Sequence, residues 1–437
     1  MTSTPLSGQI LRWPVDKDSR SFHVFVVEPS RFDPTKHRAI FYGAVTTLLR
    51  PEVKSQDIFR TDETLPQIER FDLITFPEAF LPADDLVEAL TRISSYDRLG
   101  CIHVGLRSSF DATSHLIGVE EFRCIIARLS EIADSTDLQP ITGWLDNQVA
   151  SARFNVGCLF SIDVQGKLRV CLHPKMVRSQ FEVSVVSDNN MTEGTLLSLV
   201  TLLPGSKKYL SVTLQPIICS DALLLDVDHI GRTPLNCINS DDANSFTEPL
   251  PDHVDLVSVP ACTPQQVGGV TVERFRKWHE EFCATFERVG KGGAWHRHFH
   301  ATFVIANFLA IPDTTASEPG VPGGLSGGFI PTPFGNDELP PFAQLSAFGK
   351  DQDDPNNRWS DPASKLQATF SSRGYIAHLT PEVTDDIVAK MLGFRITAFP
   401  RDTPQWRKGN PSTLAQFDLR TGRYDASGSV YFTRREK

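Results

Sequence analysis

Leu214-Gln215-Pro216-Ile217-Ile218-Cys219-Ser220-Asp221 is the stretch on which the reading of this chain turns. An apolar run brings a cysteine to an abrupt polar exit, and an acidic residue stands two positions on. A strand that ends in a nucleophile at a strand-to-helix turn lifts that side chain clear of the sheet, where a substrate and backbone N–H donors can meet it. Cysteine is the strongest side-chain nucleophile near neutral pH. Taken alone, the octapeptide reads more readily as carrying a small buried hydrophobe, the usual fate of a lone cysteine. Two other stretches change that balance.

The first is Phe71-Asp-Leu-Ile-Thr-Phe, a strand-like run that passes straight into Pro77-Glu78. The second is an apolar hairpin, Asn155-Val-Gly-Cys-Leu-Phe-Ser-Ile-Asp-Val and Lys167-Leu-Arg-Val-Cys-Leu, joined at Gln165-Gly166 and ending at His173-Pro174-Lys175. Glu78, Lys175 and Cys219 therefore share a position type, just past an apolar strand. In layered α/β folds such ends gather at one edge, where ligands bind, so residues distant in sequence can converge. Their chemistry is complementary: a carboxylate can take a thiol proton, an ammonium can stabilise thiolate and oxyanion, and the cysteine can attack a carbonyl or nitrile carbon. Each also has a plainer reading, Glu78 as an acid at a helix N-terminus and Lys175 as a solvated loop charge.

The ordered set resembles the nitrilase superfamily of carbon–nitrogen hydrolases, whose Glu-Lys-Cys triad is spread over three such segments in this order. The matching pieces are Asp72–Glu78, His173-Pro174-Lys175 with Glu182 seven residues on, and Ile217–Asp221; weaker echoes are Asp255-Leu-Val-Ser-Val-Pro260 and Gly327–Gly335. The resemblance implies a four-layer αββα sandwich of two mixed sheets over residues 1–335, with residues 336–437 as an extension packed on that domain or on a neighbouring subunit. It implies Glu78, Lys175 and Cys219 as catalytic residues, Glu182 holding Lys175 or Glu78 in place, and the Ser220 N–H in the oxyanion hole. It further implies a small amide, carbamoyl or nitrile substrate, a thioester intermediate, no metal or organic cofactor, and a homo-oligomer. Ser220 stands where an aromatic is common, and Ala222-Leu-Leu-Leu replaces an Arg-containing segment. These departures bear on the pocket and leave the triad untouched. The alternative they raise is a noncatalytic or regulatory relative that binds a partner through a diverged pocket. With an ammonium beside it, Cys219 is expected to be the most reactive thiol.

Composition is that of a globular protein: 437 residues, 40% hydrophobic and 22% charged, with a net charge of −10 that argues against nucleic acid and anionic membranes as partners. The eight cysteines show no CxxC pair or regular spacing, which fits reduced core residues in a cytoplasmic protein. No basic-then-apolar leader opens the chain, and no run of about 18 apolar residues suggests a membrane span.

Elsewhere the pattern predicts strands at Phe22–Glu28, Arg38–Val45, Cys101–Leu106, His253–Val259, Thr302–Asn307 and Gly328–Ile330. Helices are expected through Leu86, Leu90 and Ile93, through Val119 to Ile132, around Leu196–Leu203, and along the stripe Phe275, Trp278, Phe282, Phe286. After Gly335 only Gly374–Leu379 reads as a strand. Trp295-His296-Arg-His298-Phe-His300 would place three histidines on one face of a strand, a possible metal site, although no carboxylate partner stands nearby and pocket-lining histidines are the favoured reading.

Overall fold

The computed structural model describes residues 6–15, 22–29, 31–49, 71–94, 99–179, 182, 191–205, 211–222, 233–239, 246, 248–263, 296–298, 301–308, 310–311, 321–322, 326–331, 342–344, 375–379, 389–396, 416–418 and 429–431. Within them the chain is a mixed α/β structure built on two mixed sheets.

The first sheet has seven strands. They are β1 (Ser7–Val15), β7 (Leu196–Pro204), β8 (Val212–Pro216), β9 (Leu256–Pro260), β10 (Thr302–Ala306), β11 (Gly327–Pro331) and β12 (Phe342–Gln344), in that spatial order. The pairs β1–β7, β8–β9 and β9–β10 are parallel and the others antiparallel. The second sheet centres on β2 (Phe22–Pro29), β3 (Leu73–Thr75), β4 (Leu99–Arg107), β5 (Val156–Ile162) and β6 (Leu168–Pro174). Here β2, β3 and β4 run parallel, and β5 and β6 form the expected hairpin. Gly166 makes its turn at φ 73°, a left-handed backbone that suits glycine, while the Asp163 carboxylate accepts the N–H groups of Gln165 and Lys167.

The sheets face each other across an apolar layer of Trp13, Val24, Leu73, Leu159, Leu214, Leu256 and Val304, drawn from both. The outer face of the second sheet is covered by α1 (Pro34–Leu49), α2 (Ala83–Ile93), α3 (Val119–Leu129) and α4 (Ser135–Asp146). On the other outer face the described residues include the short α5 (Pro234–Asn239). The expected helix through Phe275–Phe286 lies outside the described residues. Among the described residues no helix is long and apolar enough to cross a membrane.

Four expectations are corrected. Arg38–Val45 is helical: Pro34 sits at the first helical position behind Asp33, which accepts the Thr35 N–H. The buried His37, Ile40, Phe41, Ala44 and Val45 recur at three- and four-residue spacing. Leu196–Leu203 is strand, not helix. It lies between β1 and β8 and is buried without a break from Leu196 to Val200, so its apolar run lacks alternation there. α3 ends at Leu129, and Ile132 packs against the same core from beyond its end. After Gly335 the single expected strand, β13 (Tyr375–Leu379), is joined by β12, β14 (Ala389–Ile396), β15 (Gln416–Asp418) and β16 (Ser429–Tyr431); β14 pairs antiparallel with β2 along eight residues.

Candidate active site

Glu78 follows β3, Lys175 follows β6, and Cys219 follows β8, so all three leave the carboxyl ends of their strands. The segment bearing Glu78 lies directly on β4. A Cβ at Gly105 would stand 2.4 Å from Glu78 Cα, so only glycine admits this approach. Ala79 adopts φ 51°, a left-handed turn that a side chain enters only at some cost, and this bend turns the chain immediately after the carboxylate.

The Lys175 backbone is held by its N–H to Asn155 O at 2.8 Å and its carbonyl to the Gly194 N–H at 2.8 Å. Its side chain is 1% exposed, and the ammonium lies 2.8 Å from Glu78 Oε1 and 2.9 Å from Glu182 Oε2. Asn155 Nδ2 donates to both carboxylates, at 2.6 Å to Glu78 Oε1 and 2.8 Å to Glu182 Oε1. Cys262 N–H donates to Glu78 Oε2 at 2.9 Å, and Ser179 N–H to Glu182 Oε2 at 2.7 Å. His115 Nε2 is 3.7 Å from Glu182 Oε1.

One ammonium thus serves two buried carboxylates. Burial opposes the charge on Lys175, but Glu182, Glu78 and Cys219 outweigh it and hold the ammonium well above its ordinary range. Burial likewise opposes ionisation of Glu182, and Lys175 with the His115, Asn155 and Ser179 hydrogen bonds holds its carboxyl below the usual range.

Cys219 opens a short 3₁₀ turn, Cys219–Ala222, at φ 45°. This is the sharp exit expected of the octapeptide. Its Sγ lies 2.8 Å from Thr263 Oγ1. Burial pushes the thiol up to about 12, Glu78 adds to the rise, and Lys175, the Thr263 hydroxyl and the Cys262 N–H oppose it. Among the described cysteines the exposed one is Cys124. Ser220 Oγ donates to Val177 O at 2.5 Å. Asp221 accepts the N–H groups of Val177 (2.8 Å), Met176 (3.0 Å) and Ile218 (3.1 Å). Burial pushes its carboxyl up to about 7 against Lys175 and those three donors.

The histidine triplet does not form a strand. His296–His298 is a 3₁₀ turn, His300 lies outside the described residues, and His298 is buried, its Nε2 2.6 Å from Gln215 Oε1 and its Nδ1 2.7 Å from Asn239 Nδ2. Among the described residues no group of three potential metal ligands comes together.

Asn155, Thr263 and the Cys262 N–H were not evident in the sequence as parts of this site, and Asp221 stood in the octapeptide without an assigned role. Asn155 had one signal, a polar amide opening an otherwise apolar strand; Thr263 had none.

No family model matches the chain, and no curated protein matches it by sequence. Among solved structures, a carbon–nitrogen hydrolase from Helicobacter pylori G27 aligns over 90% of this chain and 94% of its own, with 9% identity and a TM-score of 0.42. An N-terminal amidase aligns over 62% of this chain and 54% of its own, with 11% identity and a TM-score of 0.31. An N-terminal amidase with an Asn-Glu-Ala peptide gives 12% identity, the same coverage and a TM-score of 0.30. The chain spans about half the length of those amidases.

Proposed function

We propose that this chain is a thiol hydrolase of nonpeptide carbon–nitrogen bonds, acting on an amide, carbamoyl or nitrile group through Glu78, Lys175 and Cys219. The observation that carries the reading is the buried Lys175 ammonium, bonded to Glu78 at 2.8 Å and close enough to the Cys219 thiol to favour its ionised form. A structural ion pair needs no thiol beside it at a left-handed strand exit. The architecture we propose with it is a four-layer αββα sandwich reaching to about residue 335 and assembled as a homo-oligomer.

The hydrogen bonds of Glu78 divide the labour between its oxygens. Oε1 already accepts from Lys175 and Asn155, whereas among the described residues Oε2 accepts the Cys262 N–H alone and keeps a lone pair for the thiol proton. With an amide bound, that proton passes to Glu78 as Sγ bonds to the carbonyl carbon, and the C=O electron pair moves to oxygen. The oxyanion faces Lys175 and the Ser220 N–H; loss of one such donor typically slows catalysis ~10²–10³-fold. The C–N bond then breaks, and the departing amine takes the proton from Glu78. Water attacks the thioester after giving its proton to Glu78, the S–C bond breaks, and the thiolate recovers the proton.

The test is ammonia or amine release from a panel of small amides, carbamoyl compounds and nitriles. Turnover that vanishes in Cys219→Ala, with a Cys219 adduct of acyl mass in the quenched wild type, is the expected result. A panel without turnover or adduct would remove the hydrolase reading in favour of a noncatalytic, partner-binding chain.

A further inference from the structure

We infer that Thr263 is a further catalytic residue, its hydroxyl donating to Cys219 Sγ whenever the sulfur bears negative charge. The role in turnover rests on the hydrolase reading above; the effect on the thiol does not. Thr263 Oγ1 lies 2.8 Å from Sγ, and the residue is only 8% exposed. A hydroxyl has one proton to give, and among the described residues the sulfur is the side-chain hydroxyl's partner. Were the hydroxyl instead to accept the thiol proton, its own proton would be left unmatched in a buried place. The thiol proton would then also point away from Glu78. With Thr263 as donor, the thiol proton is free for Glu78 Oε2, and the hydroxyl is already aimed at the charge that forms.

Thr263 is held for this task. Asn307 Oδ1 accepts its N–H at 3.2 Å, and Asn307 Nδ2 donates to its carbonyl at 3.0 Å. The tripeptide Ala261-Cys262-Thr263 addresses both reacting groups at once. The Ala261 carbonyl takes the Glu78 N–H, the Cys262 N–H binds the Glu78 carboxylate, and the Thr263 hydroxyl meets the sulfur. One short segment at the end of β9 thereby sets base and nucleophile relative to each other.

The same hydroxyl acts twice in the cycle. In attack it stabilises the sulfur as its proton leaves for Glu78. In thioester breakdown it stabilises the departing thiolate as the S–C electron pair returns to sulfur. No group is consumed, and no co-reactant beyond water is needed.

The experiment measures iodoacetamide alkylation of Cys219 at pH 8.5 by peptide mapping, with Cys124 as an internal control. It uses the full chain and needs no substrate, so it can fail or succeed independently of the hydrolase test. Thr263→Val, which keeps shape and loses the hydroxyl, should slow Cys219 labelling about tenfold, the effect of one unit in thiol ionisation. Thr263→Ser should stay within about twofold of wild type, and Cys124 labelling should be the same in all. If Thr263→Val melts well below wild type, Thr263→Ala is read in its place with the same expectation. Labelling of Cys219 at the wild-type rate in a folded variant without the hydroxyl would overturn the inference, as would equal slowing in Thr263→Ser.

Discussion

The Ser220 hydroxyl donates to the Val177 carbonyl at 2.5 Å, which ties the turn that presents the thiol to the loop that follows the ammonium. Asp221 doubles the tie by accepting the Val177 and Met176 N–H groups. Cys219 and Lys175 are therefore positioned by one shared backbone unit. Ser220→Ala leaves a buried carbonyl without its donor and should cost ~1–3 kcal/mol in urea unfolding. Asp221→Asn turns an amide N–H₂ toward one of three backbone donors and should cost as much or more. A Ser220→Ala protein with unchanged stability would show that the tie is dispensable.

Lys175 sits between two buried carboxylates, so its removal reverses the sign of a second substitution. Lys175→Met leaves Glu78 and Glu182 facing each other without a counter-charge, and should destabilise by ~3–5 kcal/mol. Glu182→Gln should be destabilising in wild type but stabilising in the Lys175→Met background. A double-mutant cycle by chemical unfolding checks this, and strict additivity would contradict it.

A second buried polar chain sits between the sheets. His173 Nε2 meets His103 Nε2 at 2.8 Å, His103 Nδ1 meets Ser258 Oγ at 2.8 Å, and Ser258 Oγ meets Thr75 Oγ1 at 2.8 Å. Burial pushes His173 down to about 3, and burial together with the neighbouring His173 holds His103 well below its ordinary 6.5. The unfolded chain takes up protons near pH 6.5 that the folded chain refuses, so this stability is complete above that value and is lost as pH falls below it. The slope should approach ~1.4 kcal/mol per pH unit for each histidine. Glu182 has the same sign but acts only below about its ordinary 4.5. Asp221, raised to about 7, and Asp137, raised to about 6, act with the opposite sign between pH 7.5 and 5, and His37, lowered to about 4, adds to the slope, so the histidine share is read as a difference: the unfolding free energy of His173→Gln should fall less steeply than that of wild type over this range.

Gly105 and Gly43 make a matched pair. A Cβ at Gly105 would meet Glu78 Cα at 2.4 Å and Ala79 N at 2.6 Å, whereas a Cβ at Gly43, within α1, has nothing within 4 Å. Gly105→Ala should destabilise by ~1–3 kcal/mol and displace the proposed base. Gly43→Ala should stabilise by ~0.5–1 kcal/mol. Equal melting temperatures for the two variants would contradict the packing at Gly105.

What was legible in the sequence was local. Glu78, Lys175 and Cys219 each stand just past an apolar run, and strand ends at one edge of a layered fold bring such residues together. Asn155 and Thr263 were hidden because their meaning lies in bonds to partners 77 and 44 residues away. The balance at the thiol was hidden as well, since the ammonium beside it favours ionisation while burial, which no spacing reports, opposes it. Leu196–Leu203 shows the limit of periodicity: buried without a break from Leu196 to Val200, it carries too little alternation to distinguish it from a buried helix. Arg38–Val45 is the opposite case, because the spacing of His37, Ile40, Phe41, Ala44 and Val45 already marks a helix.

The pairing of β14 with β2 bears on how the protein can be cut. Val24, Phe25, Val26 and Val27 are all buried, and along their strand the hydrogen-bonding groups on one side are taken by Ala389–Ile396. A chain shortened to residue 335 would keep every residue of the proposed triad yet bare that strand as an apolar edge, the kind of surface on which other chains add. Expression of the shortened form should therefore give self-associating material, and a lysine at an exposed position of the bared edge would be the remedy to try before abandoning the truncation.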